Sequence, residues 1–364
     1  GSVQVTRAAT ATISRAAVAH NLARVRALAP GRPIYAVVKA DAYGHGLEPL
    51  LETLASAGAE AFAVACLEEA DRIRAAGIKR PILLLEGWAD HDELVVAKRL
   101  ALDAAVHCEE QLQDALVTGT EGLRAIWLKL DSGMHRIGLC SDVVASAWSQ
   151  LRARAEPLGL MSHFACADDC ADNFTTVQLR AVQAVAKSVG AARLSTHNSA
   201  AILNHVQVSG EENWLRPGVM LYGLSPLPDR TADALQLRPA MTFSSVVMAV
   251  LNVARGEGVG YGLSWRAERD SRVAVVAAGY GDGYPRHAPT GTPVLVAGHR
   301  TPLVGRVSMD MLSVDVTDLP DVKRGARAVL WGEGLPVDEI AAAANTLGYE
   351  LVCKVTARVR RQYV

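Results

Sequence analysis

Ile34-Tyr-Ala-Val-Val-Lys39 is an unbroken apolar run that closes on a lysine, and Ala40-Asp-Ala-Tyr-Gly-His-Gly46 follows it directly. An apolar run without polar alternation reads as a strand covered on both faces, as in a parallel sheet. Seven more runs of this character lie downstream: Ala61–Cys66, Ile82–Leu85, Leu102–Val106, Ala125–Asp131, Leu158–Phe164, Arg193–Thr196 and Gly218–Tyr222. Amphipathic stretches separate most of them, among them Leu47–Ala57, Leu67–Ala75, Gln111–Val117 and Thr175–Val189. Upstream, Ser14 is placed to cap a helix in which Ala17, Val18, Leu22, Val25 and Leu28 recur near the helical period. Eight strand–helix repeats in about 220 residues predict an α/β chain that begins with a TIM (β/α)8 barrel. A doubly wound open sheet is the alternative. It usually has fewer strands and often a glycine-rich dinucleotide turn after the first, which Lys39–Gly46 is not.

The pattern changes after about Pro228. The runs Phe243–Val253, Val273–Ala278, Pro293–Val296, Met311–Val316 and Ala328–Trp331 are β-rich and punctuated by glycine, with one helical piece at Val337–Leu347. This predicts a mainly-β C-terminal domain. The expected division is a barrel over 1–235 and a β domain over 236–364, with the first residues available to pair with the β domain. A length of 364 residues agrees with two domains.

Thirty-seven Lys and Arg balance 38 Asp and Glu, a net charge of -1. That excludes a nucleic-acid or anionic-membrane partner held by bulk charge. No apolar run approaches the roughly 18 residues of a membrane span, and no apolar signal core follows Gly1 and Ser2. Six cysteines are scattered singly, which reads as reduced thiols in a cytoplasmic protein. Cys166 and Cys170 enclose Asp168 and Asp169, but no second cysteine pair exists, so no metal site is expected.

Active sites of barrels gather at the C-terminal ends of the strands. Polar residues stand there: Lys39 on the first run, Lys129, Asp131 and Arg136 around the fifth, His163 on the sixth, Asn198 and Ser199 after the seventh, and Arg216 and Gly218 at the eighth. A lysine with a buried stem is costly to charge. Its depressed pKa makes it a nucleophile toward an aldehyde, able to form a Schiff base. A snorkelling lysine at a strand end is the plainer reading, but Gly44 and Gly46 allow backbone to approach a ligand closely.

Ala36-Val-Val-Lys-Ala-Asp-Ala-Tyr-Gly-His-Gly46 resembles the pyridoxal-phosphate lysine motif of the alanine racemase family. The resemblance runs through Leu128-Lys-Leu-Asp-Ser-Gly-Met-His-Arg-Ile-Gly-Leu139, Ser162-His-Phe-Ala165, Asn198-Ser-Ala-Ala201 and Leu215-Arg-Pro-Gly-Val-Met-Leu-Tyr-Gly223. It continues in Gly260-Tyr-Gly262, Gly279-Tyr-Gly-Asp-Gly-Tyr284, Gly305-Arg-Val-Ser-Met-Asp310 and Gly348-Tyr-Glu350.

The resemblance implies an enzyme that interconverts L- and D-alanine with pyridoxal 5'-phosphate and two bases. Lys39 would hold the cofactor and act as one base, and Tyr261 would act as the other. Tyr43, Ser199, the backbone of Gly218 and Val219, and Tyr349 would hold the phosphate, with Asn198 among the cofactor contacts. Arg216 would donate to the pyridine nitrogen, which must then stay unprotonated, and His163 would support Arg216. Arg136 would meet the cofactor's phenolic oxygen or the substrate carboxylate. The Met309 amide would also bind that carboxylate, with Tyr284 near the entrance. Lys129 matches a position that is carbamylated in some members. Because Tyr261 and Met309 lie in the β domain, the resemblance further implies a homodimer with shared sites. A serine or broad-specificity racemase of the same family, a barrel decarboxylase and a pyridoxal-phosphate carrier remain as alternatives. A decarboxylase would need a substrate-facing cysteine, whereas the only late one, Cys353, lies inside the apolar run Leu351–Val355, and the carrier leaves the β domain unexplained.

Overall fold

The protein is described from a computed structural model over residues 7–154 and 157–364. Eight parallel strands follow one another around a single sheet: β2 (Tyr35–Val37), β3 (Ala61–Val64), β4 (Ile82–Leu84), β5 (Asp103–Val106), β6 (Ala125–Lys129), β7 (Leu158–Met161), β8 (Arg193–Ser195) and β9 (Glu212–Asn213), after a first strand β1 (Thr10–Ile13) that lies elsewhere. The sheet curls until its ends meet. The amide of Tyr35 donates to the Leu215 carbonyl at 2.8 Å, that of Leu215 to Pro33 at 2.9 Å, and that of Val37 to Pro217 at 3.0 Å. Strands β3, β5 and β6 are buried at every position, because side chains fill the inside and helices cover the outside.

The helices start where local chemistry satisfies their free amides. Ser14 Oγ accepts from the Ala17 amide at 3.1 Å ahead of the helix Arg15–Leu28. Asp90 caps His91–Arg99 in the same way, accepting from the Glu93 amide.

One end of the barrel is plugged. Tyr35, Trp127 and Trp214 are buried inside it, and a Cβ on Gly159 would collide with the Trp127 indole. Asp103, at the start of β5, is fully buried and takes a bidentate contact from Arg124 together with the Tyr35 hydroxyl. Burial and the Asp103 carboxylate hold the Tyr35 phenol far above its usual range, so it remains a neutral donor. Open space is left at the opposite, C-terminal end of the strands.

Two expectations need correction. Gly218–Tyr222 is not the eighth strand; Val219–Tyr222 is a 3-10 turn, and β9 precedes it. Pro217 has no amide to continue the ladder, so the chain leaves the barrel there. The single helix expected at Val337–Leu347 is instead two, Val337–Ala343 and Gly348–Cys353, broken where Asn345 takes φ 57°.

The rest of the chain is strand-rich. It comprises β10 (Met241–Val253), β11 (Gly258–Val259), β12 (Trp265–Arg266), β13 (Ser271–Val276), β14 (Pro293–Val296), β15 (His299–Pro302), β16 (Leu312–Asp315), β17 (Arg327–Trp331) and β18 (Arg360–Tyr363). The main sheet runs β15-β14-β17-β10-β1-β18, with β13 on β10 and β16 on β13. Thus β1 pairs antiparallel with β10 and parallel with β18, at the far end of the chain.

Candidate active site

A cavity of about 1050 Å³ opens at the C-terminal ends of the barrel strands. Lys39, Tyr43, Lys129, Arg136, His163, Asn198, Ser199, Arg216, Gly218, Val219 and Tyr349 all line it. Ten of these are carried by the barrel, whereas Tyr349 reaches in on the helix Gly348–Cys353.

Lys39 stands where β2 gives way to an unusual turn. Ala40, Asp41, Ala42 and Tyr43 take φ of 51°, 55°, 53° and 54°, one turn of left-handed helix made without glycine. Each such residue costs roughly 1–2 kcal/mol, so the surroundings must over-determine it. They do. The Ala40 amide donates to Glu69 Oε2 at 2.6 Å, and Asp41 Oδ1 accepts from the Leu47 amide at 3.0 Å and from Arg72 at 2.7 Å. His45 is fully buried, stacks on Tyr222 at 4.7 Å between ring centres, and holds the Ala42 and Tyr43 carbonyls through Nδ1. Burial pushes the His45 ring down to about 4, so it stays neutral.

The turn aligns Tyr43 with the other donors. Ser199 Oγ accepts from the Gly218 amide at 2.9 Å and from the Met220 amide at 3.3 Å, which bends the Gly218 loop toward it. The Val219 amide and the Tyr43 and Tyr349 hydroxyls have no partner among the described residues. A Cβ on Gly218 would run into the Tyr43 hydroxyl. This is a cradle of free donors kept open by a glycine, and its chemistry suits a phosphate. Asn198 lines the cavity, but its side chain is engaged as a cap, accepting from the Ala201 amide at 3.0 Å.

The opposite wall is cationic. Arg216 is 5% exposed, donates to Ser162 O at 2.6 Å and to Ser195 Oγ, and has no carboxylate partner among the described residues. Burial, followed by Arg136, lowers it to about 10, where it is still charged near neutral pH. Lys129 is 7% exposed, and burial together with Arg216 and Arg136 brings its amine down to about 7. The Lys39 amine is lowered by burial and then by Arg136. His163 is held neutral by burial and by the same cations. Arg136 is returned to the rim by the loop after β6, where Asp131 Oδ1 accepts from the Gly133 and His135 amides, both at 3.0 Å. So many cations in one half-enclosed space favour an anionic ligand.

Three sequence-derived candidates lie outside this cavity. Tyr261 is 72% exposed on a 3-10 turn between Gly260 and Gly262, both at positive φ. Met309 is 52% exposed; its carbonyl accepts from the Gly281 amide at 2.8 Å, and its own amide has no partner among the described residues. Tyr284, expected at an entrance, is instead 1% exposed in the β-rich core, stacked on Trp331. Tyr280, on the other side of the same glycine-rich turn, is the exposed tyrosine, and its amide donates to Ser308 O at 3.1 Å.

The serines that hold Arg216 went unread in the sequence. The described hydrogen bonds of Arg216 go to Ser162 and Ser195 and not to the His163 ring.

The family described as alanine racemase, N-terminal domain, matches residues 13–226, and that described as alanine racemase, C-terminal domain, matches 240–363. The chain belongs to the alanine racemase family. Among racemase relatives, the biosynthetic alanine racemase of Pseudomonas aeruginosa is 47% identical over 357 residues, covering 97% of this chain and 98% of the relative. The alanine racemase of Vibrio cholerae is 46% identical over 361 residues, covering 98% of each. The crystal structure of the Pseudomonas aeruginosa racemase superposes with a TM-score of 0.93 at 46% identity, covering 99% of this chain and 100% of that one. The racemase of Bartonella henselae, solved with covalently bound pyridoxal phosphate, gives 0.90 at 28% identity, covering 98% and 99%.

Proposed function

We propose that this chain interconverts L- and D-alanine with pyridoxal 5'-phosphate, held by Lys39 and the Tyr43–Ser199–Val219–Tyr349 cradle. The observation that carries this reading is the convergence, in a chain matched by both alanine racemase domain families, of a lysine of lowered pKa with unpartnered phosphate-type donors and buried cations in one cavity. Relatives named for alanine favour it over a serine or broad-specificity racemase. When bound, the cofactor supplies the electron sink that acidifies the α C–H of an attached amino acid.

Arg216 keeps its proton and can only donate, so a ring nitrogen facing it stays unprotonated. Arg136 and the free Met309 amide are suited to the substrate carboxylate. Lys39 Nζ takes or returns the α-proton on one face and the Tyr261 hydroxyl does so on the other. One proton leaves and one arrives, so only configuration changes. The neutral fraction of Lys129 near pH 7 can add carbon dioxide, releasing a proton and giving a carbamate that orients Arg136.

Tyr261 and Met309 do not line the cavity of their own chain, and Leu263 and Met311 near them are exposed apolar side chains. We therefore read the enzyme as a homodimer in which the β unit (236–364) of one copy completes the barrel site (1–235) of the other. The six free cysteines support a cytoplasmic setting. The deciding experiment is incubation with L-alanine in deuterated water. Loss of optical rotation with deuterium appearing at the α-carbon supports the proposal; retained rotation with no deuterium overturns it.

A further inference from the structure

The left-handed turn after Lys39 is fastened from the β-rich unit of its own chain as well as from the barrel. Arg361 on β18 donates to the Gly44 carbonyl through Nε at 3.4 Å and through its terminal nitrogen at 3.2 Å. Its remaining hydrogens go to the carbonyls of Val355 at 2.8 Å, Thr356 at 2.7 Å and Val359 at 3.1 Å. This one guanidinium, with no carboxylate partner among the described residues, ties the C-terminal segment to the turn. Two residues on, the Tyr363 hydroxyl donates to the His45 carbonyl at 2.8 Å. Both glycines of the turn are in tight contact there: a Cβ on Gly44 would meet Val352 O, and one on Gly46 would meet the Tyr363 hydroxyl.

We propose that Arg361 and Tyr363 are positioning residues for Lys39, keeping the left-handed turn wound so that the amine is presented to the cavity. Neither touches the substrate. The role rests on the reading of Lys39 as a proton-transferring base. It gives the β unit two duties: it anchors the lysine of its own barrel while offering Tyr261 elsewhere.

Tyr363→Phe removes one hydroxyl while keeping the ring that Arg15 covers at 5.3 Å. Arg361→Gln removes the charged fork, and Arg361→Lys keeps the charge. Hydrogen exchange of the cofactor-free chain reads the turn directly, since the Gly44 and Gly46 amides donate within it to Ala40 O and Asp41 O, each at 2.9 Å. In the Tyr363→Phe, Arg361→Gln double variant these amides exchange about tenfold faster while β3 is unchanged. In the holoenzyme kcat falls about tenfold with KM for alanine within twofold, and Arg361→Lys recovers part of the loss. Unchanged exchange, or faster exchange with kcat within twofold, overturns the proposal. If the unsubstituted chain racemises no alanine, the proposed function and this role fall together. A loss confined to the variants separates the two cases.

Discussion

At Gly218 a single methyl group decides whether the cradle of free donors stays open. An alanine there would press its Cβ on the Tyr43 hydroxyl and sit 3.5 Å from the Val37 Cβ. Overpacking of this kind displaces the softer neighbour, here the tyrosine. Gly218→Ala should weaken cofactor retention at least about tenfold, measured by titrating the cofactor-free protein with pyridoxal phosphate. An unchanged dissociation constant would remove Tyr43 from the cradle. Lys129 sets a second expectation. With its amine near 7, raising the pH from 6 to about 8 increases the neutral form that reacts with carbon dioxide. Activity at the higher pH should fall in carbon-dioxide-depleted buffer and return with bicarbonate, whereas Lys129→Ala should ignore bicarbonate. Equal bicarbonate response in both proteins would speak against the carbamate. Lys129 was legible because it stands near the end of an apolar run, where a charge has no structural reason to be. Ser162 and Ser195 were not, because a serine becomes notable only once the arginine it holds is seen.

The element that carries Lys39 should respond to glycine in the opposite sense from an ordinary helix. Ala40 is exposed and sits at φ 51°. Glycine there relieves roughly 1–2 kcal/mol of left-handed strain against about 0.5–1 kcal/mol of added chain entropy. Ala40→Gly should leave the melting temperature level or raise it slightly; a clear drop would show that the turn is not strained as described. The barrel strands could be read because burial on both faces leaves one chemical option, apolar, at nearly every position. The same logic misled at Gly218–Tyr222. Met220, Leu221 and Tyr222 are as buried as any strand, and only Pro217 signalled that the ladder had ended. The left-handed turn gave no sequence signal, since its backbone is imposed by Glu69, Arg72 and the C-terminal strand rather than by glycine. Tyr284 was misplaced at the entrance because the facing of each tyrosine that flanks its glycine-rich turn is set by contacts far away in sequence.

For the molecule as a whole, the proposal that two copies share their sites is decided by a complementation test. Lys39→Ala and Tyr261→Ala chains, each inactive, should recover up to about one working site per mixed dimer after subunit exchange. No recovery with exchange demonstrated would confine each site to one chain. Acid stability is a second global property. His45 and His197 are fully buried and lowered to about 4, chiefly by burial, from an ordinary value near 6.5. A depressed basic group is neutral in the folded chain and protonated in the unfolded one between these values. Its stabilisation is therefore complete above pH 6.5 and is lost progressively as the pH falls toward 4. Each histidine would contribute up to about 3 kcal/mol over that window. Urea denaturation should show stability falling between pH 6.5 and 4; a flat profile would contradict the buried, neutral assignment.

Strand β1 lies between β10 and β18, so the earliest strand of the sheet gains its second neighbour only when residues 360–363 arrive. A ribosome paused short of that point holds a chain whose barrel segment has been synthesised, while one margin of β1 is still bare and the lysine turn is unfastened on that side. Such a nascent species offers an open hydrogen-bonding border to other chains, and it would call on chaperones late in translation rather than early.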